Sequence, residues 1–223
     1  MTLHIGPIVS PLPSGILPDL RPLAGRYVTL EALNPAKHGP DLWAAISDDQ
    51  EVLWTYMPAA PFADAPAFQD WLISRAALRD PWFYAYVVGN KALGMGAFMR
   101  ADAANGAIEI GNILISKPMQ QTRASTEATY LFMNHAFEFL KVRRFEWKCN
   151  ALNAPSIAAA KRFGFTYEGT FRQHLIVKGR NRDTAWFSII DSEWPRIKSG
   201  FEHWLDPSNF DDAGKQKAKL QVS

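Results

Sequence analysis

The 223-residue chain contains one cysteine, Cys149, which excludes a disulfide framework and a cysteine-rich zinc site. Long apolar runs are also missing: no stretch reaches the roughly 18 uncharged residues that a membrane-spanning helix needs. The first twenty residues have no cationic start and no apolar core, and Pro7, Pro11, Pro13 and Pro18 interrupt any helix there. No leader and no membrane partner are therefore expected, and the cytoplasm is the expected location. Charge of one sign is lacking too, since 24 Lys and Arg against 22 Asp and Glu leave a formal +2. That balance is too even for a general grip on nucleic acid or an anionic membrane. The five histidines, His4, His38, His135, His174 and His203, have no metal-ligand spacing, so no metal centre is expected. What the chain has in excess is aromatic side chains, 13% of residues with 8 Trp and 14 Phe, which suit either a core or a lined pocket.

Along the chain, residues 1–25 read as an extended Pro-rich arm lying on the surface or on a partner, and dimerisation through it is one expectation. A strand is predicted over Arg26–Leu33, then a helix opened by Asn34 and Pro35 with Leu42, Trp43 and Ile46 at helical spacing. A second helix is predicted over Asp64–Leu78. Trp82–Val88 and Ala92–Met99 flank Gly89 and Asn90 as a hairpin, and Asn105-Gly106 turns into a strand at Ala107–Ile115. A long helix should follow over Arg123–Leu140, with Ala128, Leu131, His135 and Phe139 as its inner stripe. The remaining elements are a strand at Arg144–Cys149, a helix at Ser156–Phe163 stopped by Gly164, strands at Phe165–Val177 and Thr184–Ile190, and a closing helix over Glu193–Leu205. The compact domain thus spans 26–205, and residues 206–223 read as a polar tail, disordered from Asp211 on.

The chemistry concentrates between Ile108 and Phe165. A strand holding Glu109, Gly111 and Asn112 runs through Pro118 into a helix start at Gln121–Glu127, and a helix N-terminus with free N–H groups suits phosphate. A second strand–helix pair carries Asn153-x-x-Ser156 and then Arg162, Phe163, Gly164 and Phe165. On these residues, with Thr126, Glu127, Ala128, Glu168 and Gly169, the chain resembles the GNAT superfamily of N-acetyltransferases, most closely its RimJ/RimL-like branch of ribosomal-protein N-terminal acetyltransferases. The resemblance implies an α/β (α+β) fold with a mixed, mostly antiparallel central sheet splayed in the middle and flanked by helices.

It also implies acetyl-CoA as cofactor. Its pantetheine would lie along Ile113, Leu114 and Ile115, with Asn150 and Asn153 opposite. Its pyrophosphate would rest on Gln120, Gln121, Thr122, Arg123, Ala124, Ser125 and Thr126. The family's loop usually carries small residues, glycine or alanine, where this chain has Arg123 and Ser125, so the side chains of Arg123 and Ser125 are expected to add donors. Acetylation of an amine needs a base, because the amine is mostly protonated near neutral pH. Glu109 is the base candidate, a carboxylate inside an otherwise apolar strand. The competing reading is that it faces solvent or pairs with an Arg of a neighbouring strand. Ser156, by resemblance, would protonate the leaving thiolate, against a competing role as helix cap. Ala160 stands where many members carry a tyrosine.

Trp54 and Tyr56 are expected on one wall of the acceptor slot and Trp147, Phe171 and His174 on the other, whereas Trp186 and Phe187 read as core. The basic turn Lys178–Arg182 is either solvated or receives an acidic acceptor or a cofactor phosphate. The expected partner is an amine, a peptide N-terminus or a small molecule, and the expected activity is N-acetyl transfer by direct attack in a ternary complex. The rival reading is a non-catalytic acyl-CoA-binding sensor that keeps the fold.

Overall fold

The computed structural model describes residues 4–59 and 61–222; the first three residues of the expected arm and the last residue of the expected tail lie outside them. Its strands are β1 (Leu23–Ala24), β2 (Thr29–Ala32), β3 (Trp82–Val88), β4 (Lys91–Asp102), β5 (Ala107–Ile115), β6 (Arg144–Asn150), β7 (Thr166–Val177) and β8 (Arg180–Ile190). Its helices are α1 (Pro35–Ile46), α2 (Gln50–Leu53), α3 (Ala65–Ala76), α4 (Arg123–Asn134), α5 (Ala154–Arg162) and α6 (Trp194–Leu205). The strands form one sheet in the order β1-β2-β3-β4-β5-β6-β8-β7. Every neighbouring pair is antiparallel except β5–β6. The mixed, mostly antiparallel sheet flanked by helices is the architecture the sequence motifs imply.

Local chemistry starts the helices as expected. The Asn34 side chain accepts from the Lys37 N–H at the head of α1, and Asp64 accepts from the Ala67 N–H at the head of α3. Two cores form on opposite sides of the sheet. One gathers Phe98, Phe132, Phe145, Phe187 and Phe201 beneath α4 and α6. The other packs Leu42, Ile46, Trp54, Phe68 and Leu72 of α1–α3 onto Met95 and Ala97. On β6 the alternation is plain, with Phe145, Trp147 and Cys149 buried in the first core and Arg144, Glu146 and Lys148 on the other face.

Three expectations change. The inner face of α4 keeps Ala128 and His135 of the expected stripe, but Phe132, Met133, Ala136 and Phe137 join them in place of Leu131 and Phe139 as the helix passes into a π turn at His135–Phe139. The extra residue in that turn shifts the phase, so Phe137 points inward and Phe139 reaches the rim under the Arg21 guanidinium, 3.7 Å from its ring centroid. Helix α5 starts two residues before Ser156. The segment after Leu205 is tied down: Gln216 accepts from the Trp204 indole at 2.9 Å, Asn209 bonds Ala218, and Val222 packs against the core. The buried Glu127 carboxylate anchors the entry to β2, accepting the backbone N–H groups of Arg26, Tyr27 and Val28 at 2.9, 2.6 and 3.0 Å.

Candidate active site

Strands β5 and β6 pair from Ala107 opposite Arg144 to Ile110 opposite Trp147 and then part, although β5 runs on to Ile115 and β6 to Asn150. A bulge holds β5 on β4 meanwhile: Ala97 faces Gly111 and Met95 faces Leu114, two steps on β4 against three on β5. The surplus coincides with Asn112, at φ 51 in the left-handed region that Asn tolerates. Gly94 permits the close approach of the two strands, since a Cβ there would stand 2.7 Å from the Leu114 carbonyl oxygen. The sheet thereby opens a gap lined by main-chain groups of residues 111–115.

The loop after β5 closes one end of this gap. Gln120 Nε2 donates to the Ile115 carbonyl at 3.1 Å, Gln121 turns at φ 59, and Thr122 caps α4 by accepting the Ser125 N–H. The N–H groups of Arg123 and Ala124, in the first helical turn, have no carbonyl four residues behind them and form an anion-binding end. The Arg123 guanidinium instead stacks over the Tyr27 ring at 4.3 Å, and the Ser125 hydroxyl donates to the Thr122 carbonyl. The expected extra donors are therefore engaged elsewhere, because a first-turn side chain folds back over the preceding turn. The cation presented between α4 and α5 is Arg162, which donates to the buried Thr126 hydroxyl at 3.1 Å. Beside the loop the buried Ser116 hydroxyl has no partner. Of the strand residues, Ile113 and Ile115 are half-buried, while the Leu114 side chain belongs to the α1–α3 core and borders the gap only through its backbone.

Ser156 lies on the α4–α6 side. Asn153 is the cap of α5 and accepts the Ser156 N–H at 3.2 Å, so capping is not the role of Ser156. The Ser156 hydroxyl accepts from Trp147 Nε1 at 3.0 Å. It also lies by Cys149, whose thiol burial pushes up, against the smaller pull of the Ser156 hydrogen bond. Asn150 Oδ1 accepts the Leu152 N–H and shapes the turn between β6 and α5. Trp147 is packed against Phe163 and Phe165, a core position on this side, and is not a wall on the Glu109 side.

Glu109 occupies the other face, 3% exposed, in a chain of ion pairs. Its Oε2 receives Arg100 of neighbouring β4 at 2.8 Å and Lys148 Nζ at 2.9 Å. Lys148 also reaches Glu146 at 2.6 Å, and Arg144 joins Glu146 to Glu168. Burial pushes the Glu146 carboxyl up, but the bonds of Lys148 and Arg144 together bring it below the usual range. Glu109 thus pairs with an Arg of the adjacent strand, and among the described residues only one of its oxygens is taken. Its Oε1 lies beside Gly111, 3.5 Å from where a Cβ would stand, at the point where the strands part.

Three segments meet at the mouth on this face. The Tyr56 hydroxyl donates to the Leu152 carbonyl at 3.0 Å, and Lys178 Nζ from the β7–β8 hairpin donates to the Trp54 carbonyl at 2.6 Å. The Trp54 ring itself is fully buried between Phe62 and Trp71, so it is core and only its carbonyl serves the mouth. Phe171 and His174 do stand together, with the ring of the exposed Phe171 tilted against Trp186 at 4.5 Å between centroids. Trp186, expected in the core, is half-buried on this face with Lys148 Nζ 4.0 Å over its ring. Its outward position follows from alternation with the buried Ala185 and Phe187. Arg100, Lys148, Glu146 and Trp186 are site residues that the sequence motifs did not disclose.

Comparison with known proteins agrees with this geometry. The family profile described as Acetyltransferase (GNAT) domain matches residues 28–166. A crystal structure of a GCN5-related N-acetyltransferase from Brucella melitensis is 48% identical, covers 92% of this chain and 94% of that one, and superposes with a TM-score of 0.89. The putative ribosomal N-acetyltransferase YdaF of Bacillus subtilis is 32% identical over 180 residues, 75% of this chain and 93% of that protein. An acetyl transferase from Salmonella typhimurium, described as modifying the N-terminal serine of ribosomal protein L7/L12, shares the fold. It has a TM-score of 0.67 at 21% identity, over 76% of this chain and 99% of that one.

Proposed function

Because the chain belongs to the GNAT acetyltransferase family and to its RimJ/RimL-like branch, we propose that it moves an acetyl group from acetyl-CoA to a primary amine by direct attack within a ternary complex. The observation that carries the mechanism is the parting of β5 and β6 after Ile110 and Trp147, with Glu109 on one face of the opening and Ser156 on the other. GNAT acetyltransferases use acetyl-CoA as donor, and when bound it supplies an activated thioester.

The residues present fit that group. The N–H groups of Arg123 and Ala124 and the guanidinium of Arg162 would hold the diphosphate, and the backbone of Ile113, Leu114 and Ile115 would flank the pantetheine arm. Glu109, through the oxygen left free by Arg100 and Lys148, takes the proton that an ammonium acceptor must lose, directly or through water. Main-chain N–H groups freed in the gap stabilise the negative charge that develops on the carbonyl oxygen. The Ser156 hydroxyl, held by Trp147, gives its proton to the departing sulfur and is reprotonated by the second proton that the nitrogen sheds as the amide forms. The acceptor is a protein α-amine or a small-molecule amine, and the description of relatives as ribosomal N-acetyltransferases supports the first. That relationship and the single cysteine support a cytoplasmic enzyme.

Thiol release from acetyl-CoA, measured with a panel of N-terminal peptides and small amines, tests the reading, with mass spectrometry locating the added acetyl group. Turnover on an amine with one acetyl per thiol released is the expected result. Binding of acetyl-CoA without turnover on any acceptor sinks the catalytic part, and absence of binding by calorimetry sinks the whole.

A further inference from the structure

The charged side chains around Glu109 form a network that leaves one strand arginine outside it. Its three carboxylates, Glu109, Glu146 and Glu168, are joined by Arg100, Lys148 and Arg144 in a closed set of ion pairs. Arg182 is left over. It lies on β8 two residues before Thr184, hence on the same face as Thr184, Trp186 and Ser188, and Thr184 is opposite Asn150 at the end of β6. Arg182 therefore stands just past the last paired residue of β6, at the open end of the gap.

Arg182 is half-buried, and among the described residues no carboxylate lies within ion-pair distance of it. Its one hydrogen bond runs from Nε to the Thr184 hydroxyl at 3.2 Å. That hydroxyl is itself buried and shared with His174 Nδ1 at 3.0 Å, so the guanidinium is positioned. Its terminal nitrogens keep their donors free. The neighbouring Asp183 is engaged by the Gln173 N–H and the Asn181 amide instead. Burial lowers the pKa of Arg182, against the smaller opposing charges of Cys149 and Glu109.

A half-buried guanidinium with a fixed Nε and free terminal donors matches a planar two-oxygen anion. The cofactor's phosphates are accounted for on the opposite face of the gap, by α4 and Arg162. We propose that Arg182 binds a carboxylate carried by the acceptor a few bonds from its amine, so that this acetyltransferase selects acidic amines. The inference rests on the acetyl-transfer reading and narrows its acceptor. The carboxylate has two sources, the α-carboxylate of a free amino acid or the side chain of an N-terminal Asp or Glu in a peptide.

Initial rates with four acceptor sets test it: free amino acids, their α-amides, peptides beginning Asp or Glu, and the same peptides beginning Asn or Gln. In the full-length enzyme the acid member of a pair is expected to have a kcat/KM about tenfold or more above its amide, the value of one charge-assisted contact. The pair that shows the preference identifies the source. Arg182→Gln is expected to bring that ratio to about one, and Arg182→Lys to restore part of it. Equal rates for acids and amides in the native enzyme, or a preference that survives Arg182→Gln, overturn the proposal and leave acetyl transfer standing. A loss of acetyl-CoA affinity in Arg182→Gln that exceeds the change in acceptor preference overturns it as well, by assigning the side chain to the cofactor. Should no acceptor turn over, the acetyl-transfer reading fails separately. Calorimetric binding of the acid and amide members to the coenzyme A complex then decides the carboxylate site, and equal affinities overturn it. Melting curves of both variants exclude misfolding as the cause.

Discussion

The indole N–H of Trp147 donates to the hydroxyl oxygen of Ser156 at 3.0 Å, and this bond decides what the hydroxyl can do next. An oxygen that accepts from an indole keeps its own proton to give, because Trp Nε1 is a donor only. With Asn153 capping α5, the hydroxyl is not consumed by the helix end. Ser156→Ala should lower kcat by about a hundredfold, within the usual worth of a proton donor in a transition state, while acetyl-CoA affinity changes little. Trp147→Phe keeps most of the packing but frees the hydroxyl to rotate, and should cost kcat less than the serine change does. Single-turnover rates with a saturating acceptor measure both. A Ser156→Ala enzyme with native kcat removes the serine from the mechanism.

Lys148 is the hinge of the charged face, with its side chain 7% exposed and two carboxylates within 2.9 Å. Removing one partner of a buried pair strands the other, at about 3–5 kcal/mol. Glu109 keeps Arg100 and Glu146 keeps Arg144, so Lys148→Met should cost somewhat less, about 2–3 kcal/mol, read from urea midpoints at fixed slope. Adding Glu109→Gln to that background should recover part of the loss, since one stranded charge is then gone. Strict additivity of the two changes contradicts a coupled network.

How far these features could be read beforehand differs by cause. Element order and the family motifs were legible because each depends on local signals: Asn34-Pro35 opens a helix, Asn105-Gly106 turns a strand, and Asn153-x-x-Ser156 is contiguous. The polar face of β6 was also legible in principle, as Glu146 and Lys148 alternate with Phe145, Trp147 and Cys149. Period two alone does not say which face a pocket uses, so it distinguishes neither Trp147 from a slot wall nor Trp186 from a core residue. Arg100 becomes a partner of Glu109 only through the β4–β5 register, which sets Met99 opposite Glu109 and slips between Met99 and Asp102, where Arg100 itself turns at φ 51, a displacement no single strand reveals. Trp54 sits in a short segment without periodicity, where a large ring gives no sign of whether it faces Phe62 or solvent.

Acid should weaken the fold through this same face. The Arg144 guanidinium beside Glu168 holds its carboxyl below the usual range, and Glu146 is also lowered once Lys148 and Arg144 overcome its burial. A carboxyl whose folded pKa is depressed adds stability that is complete above the unfolded value, about 4.5, and is lost as pH falls through the folded value. The urea midpoint should therefore hold from pH 7 to about 5 and decline below about 4.5. Arg144→Met should lower the midpoint at pH 7, and its difference from the native protein should shrink as pH falls below about 4.5 and both carboxyls take up protons. A difference that stays constant across that range assigns the effect of Arg144 to packing.

The cofactor end yields the last prediction. Arg123 is stacked on Tyr27 and the Ser125 hydroxyl is spent on Thr122, so the guanidinium that reaches the first turn of α4, on Thr126, belongs to Arg162. Phosphate binding at a helix start combines main-chain N–H groups, which no side-chain change removes, with such a cation. Arg162→Ala should therefore weaken acetyl-CoA binding by about tenfold, and Arg123→Ala by much less, since loss of stacking on Tyr27 costs stability before it costs phosphate contact. The salt dependence separates the two: affinity of the native protein should fall as ionic strength rises, and the slope should flatten in Arg162→Ala but not in Arg123→Ala. Calorimetric titrations at three salt concentrations give both the affinity and the slope. A flattened slope in Arg123→Ala alone means that this guanidinium leaves its ring and turns to the phosphates on binding, and the assignment of the two arginines is then exchanged.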